Sequence, residues 1–318
     1  MRVSSAYKVQ YEVRPSKQTE RRIILDILRA GSGIGVRLDK YQYLGFGGVR
    51  FYDFEMIFRH LGIRDMTSLE IDETLVARCR YNKPFGFIDF HEKRLDSFLQ
   101  RTSFKKPVIA WLDYDCVMNS DVVSDMRTVS ATIPMGSFVF VTVDAKIPPG
   151  LATMSPEARL LAMKEEYGEF AIANKPSELT TEKFPFFAEQ VLWSSLSESL
   201  SKRSDGTFLP LMRVFYKDTT LMMTVGACLC DPALEPLFRK QMNKQFRFLL
   251  PQNGTSPALI PAFNLTPRER LLLDTAVTRK PGEQNLGKTL RRLGFKSEEI
   301  AEYKRMFRFV PKYTEAYI

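Results

Sequence analysis

Residues 41–72 read YQYLGFGGVRFYDFEMIFRHLGIRDMTSLEID, and the order of their parts predicts the fold. An apolar run ends in Gly45-Phe46-Gly47-Gly48, an amphipathic segment follows, and a second apolar run ends in Glu70-Ile71-Asp72. Strand, glycine turn, helix, strand and terminal carboxylate make the layout of a nucleoside-binding βαβ unit. Glycine carries no Cβ, so its backbone can come close to a ligand. A carboxylate at the tip of the second strand can accept hydrogen bonds from both hydroxyls of a ribose. Glycines also serve tight turns that bind nothing, so the reading rests on the turn and the acid together.

The alternation continues on both sides of this stretch. Further strand signals fall at 86–90, at 107–113 (PVIAWLD) and at 137–143 (SFVFVTV), with helical stretches at 53–62, 73–80, 93–101 and 120–131 between them. Strands alternating with helices imply right-handed crossovers and a parallel sheet covered on both faces. The near-continuous apolar runs at 107–113 and 137–143 suit central strands buried on both sides. Upstream, PSKQTERRIILDILRA (15–30) has a helical period, with Ser16 as its candidate cap. Downstream, the proline-rich stretch 146–180 reads as an insertion and 182–202 as an amphipathic helix. Two β-rich runs in 209–230 flank Lys217-Asp218-Thr219 and read as an antiparallel hairpin. Helices are expected at 233–247, 266–277, 284–293 and 297–307, with a connector at 251–257. The expected fold is therefore α/β, a doubly wound, mostly parallel sheet of seven strands ending in an antiparallel hairpin. Its expected divisions are a helical lead-in (1–40), a Rossmann-like domain (41–231, with the insertion at 146–180) and a basic helical region (232–318).

Charge is distributed unevenly. The chain has 46 Lys/Arg against 37 Asp/Glu, and residues 239–318 hold sixteen of the former and seven of the latter, so this segment alone accounts for the net +9. A basic appendage on a neutral body suits an anionic partner, nucleic acid first, although a solvated helical surface has the same composition. Four cysteines (Cys79, Cys116, Cys228, Cys230) without a C-x-x-C pair, and only two histidines (His60, His91), speak against a zinc site. No apolar run approaches the roughly 20 residues that span a bilayer, and the first residues lack an apolar signal core. The sequence reading is a cytoplasmic protein with no membrane partner.

With these residues in place, the chain resembles the class I S-adenosylmethionine-dependent methyltransferases, and more narrowly a bacterial O-methyltransferase group. The resemblance is carried by Arg14-Pro15-Ser16-Lys17 with Glu20-Arg21, by Tyr43-Leu44-Gly45-Phe46-Gly47 with Asp53-Phe54, and by Ser68-Leu69-Glu70-Ile71-Asp72. It extends through Trp111-Leu112-Asp113-Tyr114-Asp115, Leu265-Thr266, Glu269-Arg270 and Arg308-Phe309-Val310-Pro311. It implies a cofactor loop at Gly45, Phe46, Gly47 and Gly48, a ribose acid at Glu70 flanked by Ile71 and Asp72, and an adenine site near Phe90 to Glu92 that includes His91. It also implies a reacting centre at Asp113, Tyr114 and Asp115, with Asp113 and Asp115 as catalytic carboxylates and Asp113 also near the cofactor. Three departures stand out: Tyr43 where the family usually has an acid, Val49 where it has a third glycine, and Asp-Tyr-Asp-Cys at 113–116 where many amino-group methyltransferases have Asn/Asp-Pro-Pro-Tyr/Phe. The last departure argues against transfer to an exocyclic base amine.

Several residues keep two readings. Asp53 can stand in for the missing loop acid beside the cofactor's ammonium or can cap its helix. Arg14, Lys17 and Arg21 can grip an anionic substrate or form an ordinary charged helix face. Asp113 and Asp115, two apart at a strand end, can share Mg²⁺ or supply a general base without metal; the reading adopted assigns no metal. A D-x-D after an apolar strand also occurs in glycosyltransferases. The function expected is methyl transfer from S-adenosylmethionine to an oxygen on an unidentified acceptor. The alternative is a degenerate methyltransferase scaffold that engages nucleic acid or a protein partner through 239–318, as in a bacterial defence system.

Overall fold

The structure is a computed structural model and describes residues 14–173, 175–251, 257–279 and 286–312. Its core is one sheet of eight strands in the order β3-β2-β1-β4-β5-β7-β6-β8. The strands are β1 (Gln42–Gly45), β2 (Asp65–Glu70), β3 (Ile88–Glu92), β4 (Val108–Val117), β5 (Phe138–Asp144), β6 (Thr207–Lys217), β7 (Leu221–Cys230) and β8 (Ala258–Ile260). β1 to β5 are parallel, and the β6–β7 hairpin adds to β5 through an antiparallel pairing. The carboxyl ends of β1 to β5 and the turn of the hairpin therefore meet at one edge of the sheet.

One strand more is present than the sequence reading expected. β8 is three residues long and pairs in parallel with Val214–Tyr216. Three residues are too few to show a period of two. The five residues before them that belong to the expected 251–257 connector, 252–256, lie outside the described residues, as do 284 and 285 of the expected 284–293 helix.

The central strands are buried on both faces, and their side chains divide strictly. Ile109, Trp111, Phe138 and Phe140 join the core on one face. Val108, Ala110, Leu112, Val139, Val141 and Val143 join the core on the other. The first face is covered by α1 (Pro15–Ser32), α2 (Tyr52–Leu61), α3 (Glu73–Asn82) and α9 (Glu235–Gln245). The second is covered by α4 (Leu95–Leu99), α5 (Ser120–Thr132), α7 (Pro156–Tyr167) and α8 (Phe184–Ser201), with the short α6 (Pro149–Ala152) opening the insertion. The last helices, α10 (Pro267–Thr278), α11 (Leu286–Arg292) and α12 (Ser297–Met306), pack around their own small core of Leu273, Leu290 and Tyr303. Among the described residues, no helix is long and apolar enough to cross a membrane.

Two local departures shape the cavity edge. The first concerns α1, whose N-cap is Arg14, not Ser16. The helix starts at Pro15, which has no N–H to leave unsatisfied, and Ser16 is already inside it. The cap comes from about 200 residues away. Asp218 in the β6–β7 turn accepts the N–H of Ser16 (2.9 Å) and of Lys17 (3.0 Å), while the Ser16 hydroxyl donates to the Lys217 carbonyl (3.2 Å). Asp218→Ala is expected to cost about 1–2 kcal/mol, the usual worth of a helix cap. Urea unfolding should show this as a lower midpoint at unchanged slope.

The second departure concerns β4. The reading ended this strand at Asp113, but it runs on to Val117. Asp113 pairs with Thr142 and Val117 with Asp144, so four steps along β4 oppose two along β5. The surplus residues form a bulge, which breaks the alternation on which the shared side of Asp113 and Asp115 depended. Tyr114, Asp115 and Cys116 are thereby carried out over the sheet edge.

Candidate active site

At the edge where the strand ends meet lies a cavity of about 750 Å³, within the range of small-molecule and cofactor sites. Its walls come from the loop after β1, the tips of β2, β4 and β5, the start of α1 and the hairpin turn.

The glycine loop is built differently from the expectation. Gly45 and Gly47 make room for the protein itself. A Cβ on Gly45 would lie 2.9 Å from the Tyr43 hydroxyl, and one on Gly47 would lie 2.5 Å from the Phe51 ring and 2.8 Å from the Ser68 hydroxyl. Phe51 caps α2 in the left-handed region (φ 50°), with its side chain wholly buried. That conformation costs a non-glycine residue about 1–2 kcal/mol, and it aims the ring into the space that Gly47 leaves. Gly48, also left-handed (φ 50°), has no atom within 4 Å of its missing Cβ and lines the cavity. Close approach of a ligand therefore falls to Gly48. Gly47→Ala is expected to lose about 1–3 kcal/mol through overpacking, read as a lowered melting temperature in calorimetry.

Glu70 stands at the tip of β2 and lines the cavity with Ile71. Its Oε1 accepts the N–H groups of Ile71 (2.9 Å) and Asp72 (3.0 Å), while Oε2 faces only the Cys79 thiol at 3.9 Å. Burial raises its pKa, and the two backbone N–H groups oppose that rise. Gly47 donates its N–H to Ser68 on β2 (3.1 Å), so the turn and the acid's strand are directly joined.

Beneath the cavity floor lies a network of buried charge. Lys17 Nζ meets Glu20 Oε2 at 2.7 Å and Asp113 Oδ2 at 2.8 Å, with the rings of Trp111 and Tyr216 over the ammonium at 5.3 and 5.6 Å. Arg21 grips both oxygens of Asp53, at 2.5 and 3.2 Å. Lys17, Glu20 and Arg21 are all at most 3% exposed. Burial alone would push Lys17 down, but Asp113 and Glu20 outweigh it and hold its pKa well above the usual lysine range. Burial also pushes Asp113 up; Glu20 and Asp53 add to this, and Lys17 and Arg21 oppose it, leaving the carboxyl at about 6.

These contacts correct several expectations. Lys17 and Arg21 are neither a solvated face nor an open anion grip, because each faces a carboxylate, while Arg14, the N-cap of α1, lines the cavity. Asp53 is not a helix cap; it lines the cavity with both oxygens on Arg21. Lys17, not Asp115, is the charged partner that the structure places against Asp113. Among the described residues, no group of three or more His, Cys, Asp or Glu is placed to hold a metal. Gly45, Asp72 and His91 do not line the cavity. Asp72 caps α3 by accepting the Thr74 N–H, and His91 pairs with Asp89 at 2.8 Å. The wall expected from Phe90 to Glu92 comes instead from Lys93, Arg94 and Leu95. Arg14, Lys17, Arg21, Phe46, Gly47 and Gly48 do line the cavity, as do Asp53, Glu70, Ile71, Asp113, Tyr114 and Asp115. The Tyr114 ring packs on Phe46, with centroids 4.9 Å apart, and its hydroxyl donates to Asp125 at 2.7 Å.

The family model described as "Putative O-methyltransferase" matches residues 9–318. The chain belongs to that family. Its fold and family are those of the class I S-adenosylmethionine-dependent methyltransferases. No curated protein matches it. Among solved structures it is similar to the N-methyltransferase NodS from Bradyrhizobium japonicum WM9, at 10% identity over 67% of this chain and 97% of that one, with a TM-score of 0.37. It is also similar to an O-methyltransferase from Bacillus cereus in complex with SAH, at 14% identity over 70% and 85%, with a TM-score of 0.37.

This family member carries further cavity residues that sequence reasoning missed. Asp144 ends the apolar run of β5 as Glu70 ends that of β2, so the same signal was present in the sequence. It accepts the Thr220 hydroxyl and the Lys146 N–H. Tyr216 and Asp218–Thr220 enter from the hairpin, which topology places at the carboxyl edge. Asn119 caps α5 through the Val122 N–H and also lines the cavity. No residue of the basic segment 239–318 lines the cavity among the described residues.

Proposed function

We propose that this methyltransferase binds S-adenosylmethionine across Gly48, Glu70 and Ile71 and methylates an oxygen nucleophile placed beside Asp113. The observation that carries the reading is Glu70 Oε2, held only weakly by the Cys79 thiol at 3.9 Å, in the same cavity as the open backbone of Gly48. A carboxylate has about four acceptor positions. The backbone takes two of them at Oε1, which leaves Oε2 for a ribose diol.

When bound, the cofactor supplies a methyl group already activated on a sulfonium. The protein's share is then placement and proton handling. Asp113, at about 6, is ionised at neutral pH and close enough to neutrality to take a hydroxyl proton efficiently. Its Oδ2 is tied to Lys17 and its side chain stays 20% exposed, so it is fixed and still reachable. The buried Lys17 ammonium favours negative charge on an acceptor oxygen as the proton leaves. The acceptor itself is unidentified. Isothermal calorimetry with S-adenosylmethionine and S-adenosylhomocysteine tests the reading: saturable one-site binding is the expected result, and a flat titration of folded protein with both overturns it.

A further inference from the structure

We infer that Glu20 is a positioning residue for this site: without reaching the cavity, it holds Lys17 against Asp113 and sets the charge that the floor presents to the acceptor. The inference rests on the proposed role of Asp113.

Glu20 is completely buried. Its Oε1 accepts the hydroxyl of Thr142 (3.1 Å) and that of Thr224 (2.5 Å), and these two hydroxyls also meet each other at 2.9 Å. Thr142 on β5 and Thr224 on β7 stand opposite one another in the sheet register. The other oxygen of Glu20 meets Lys17, and the far side of Lys17 meets Asp113. A threonine pair, a carboxylate, an ammonium and a second carboxylate thus form one chain from the sheet interior to the cavity floor.

A buried lysine needs one carboxylate to balance its charge, and Asp113 already supplies it. A second buried carboxylate adds a desolvation cost of several kcal/mol and calls for two buried hydroxyls to satisfy it. Structural need alone would be met by an apolar side chain on α1. Glu20 instead leaves three carboxylates (Glu20, Asp53, Asp113) with two cations (Lys17, Arg21) under the floor. Side-chain exposure is 0% for Glu20, 11% for Asp53 and 20% for Asp113, so Asp113 is the one of the three that an acceptor in the cavity reaches most readily. The charged and titratable groups facing Asp113 are Lys17, Glu20 and Arg21 from α1, Asp53 from α2, Tyr43 from β1 and Tyr216 from β6. Both tyrosines are pushed well up by burial and stay neutral.

The test reads Asp113 directly and needs no acceptor. Protein labelled with ¹³C at the aspartate carboxyls is titrated by NMR from about pH 3 to about pH 8, with Asp113→Asn assigning the resonance. The wild-type midpoint is expected at about 6. In Glu20→Gln, Lys17 faces Asp113 alone, and the midpoint should fall by about one unit or more. Glu20→Met removes the same charge with an apolar side chain and carries the same expectation, should Glu20→Gln fail to fold. A midpoint that stays in place or rises in a folded variant overturns the inference, because Glu20 then does not set the charge at Asp113. Calorimetry with S-adenosylmethionine on the same samples separates the two readings. A downward shift without cofactor binding leaves the charge relay standing and removes the methyl-transfer proposal.

Discussion

Lys17→Met is expected to lower stability by about 3–5 kcal/mol, the usual cost of removing one partner from a buried ion pair. For a chain of this size that is a melting temperature lower by on the order of 10 °C. The loss is large because Lys17 serves two carboxylates at once, at 2.7 and 2.8 Å, and is itself 3% exposed. Methionine fills the volume but strands Glu20 and Asp113. The deficit should also depend on pH in a definite direction. Without its cation, Asp113 moves further above the value it has in the unfolded chain. The native state then holds a proton that the unfolded state releases, so stability falls as pH rises through the native midpoint. The deficit should be greatest near pH 8 and shrink as the pH is lowered towards about 5, where Asp113 is protonated. Adding Glu20→Met removes one stranded carboxylate and should restore part of the loss. Differential scanning calorimetry at several pH values decides the matter: a variant that melts within a degree or two of wild type at every pH would show that this ammonium is not the desolvated hub its contacts describe.

The sheet was legible because its signals are local and strong. PVIAWLD and SFVFVTV are apolar on both faces, and only a central, doubly covered strand needs that. The hairpin was legible from two β-rich runs around Lys217-Asp218-Thr219. What the sequence concealed lies in long-range geometry. A cap supplied to Ser16 and Lys17 by Asp218 crosses about 200 residues, and no local pattern signals it. The bulge in β4 has no glycine or proline to mark it, so the period of two ran straight through Asp113, Tyr114 and Asp115.

The sequence placed Glu70, Gly47, Gly48, Arg14, Lys17 and Arg21 at the cavity, and the structure lines it with all six, though not with Gly45. Glu70 was found because an acid closing an apolar run has few structural duties. Asp144 repeats the same pattern and was overlooked only because the run was ended at Val143. Gly45 and Gly47 could be read as ligand contacts because a missing Cβ leaves no trace of what fills its place. Here Tyr43 and Phe51 fill it. Lys17, Glu20 and Arg21 have the composition of a solvated helix face, and only the α/β layering reveals that this face points into the sheet. His91 and Asp72 lie off the cavity lining, each satisfied locally by a neighbour in sequence, Asp89 and Thr74.

Glu70→Ala is expected to weaken S-adenosylmethionine binding by about 100-fold or more while leaving the fold intact. A hydrogen bond to a charged group contributes roughly 1.5–3 kcal/mol, and the ribose offers two hydroxyls to Oε2. The low end of that sum already exceeds a factor of 100 in affinity. Stability should hardly change, because the bonds lost within the protein are those to the Ile71 and Asp72 N–H groups and the weak one from the Cys79 thiol. Ile71 is 60% exposed, so its N–H can turn to water. Truncation also relieves the burial that raises the Glu70 pKa, which offsets part of what is lost. Calorimetric titration of wild type and variant, with melting temperatures recorded beside it, gives the answer. Equal affinities for the cofactor in two equally folded proteins would remove Glu70 from the site and, with it, the argument that the strand-tip acid of this chain holds a ribose.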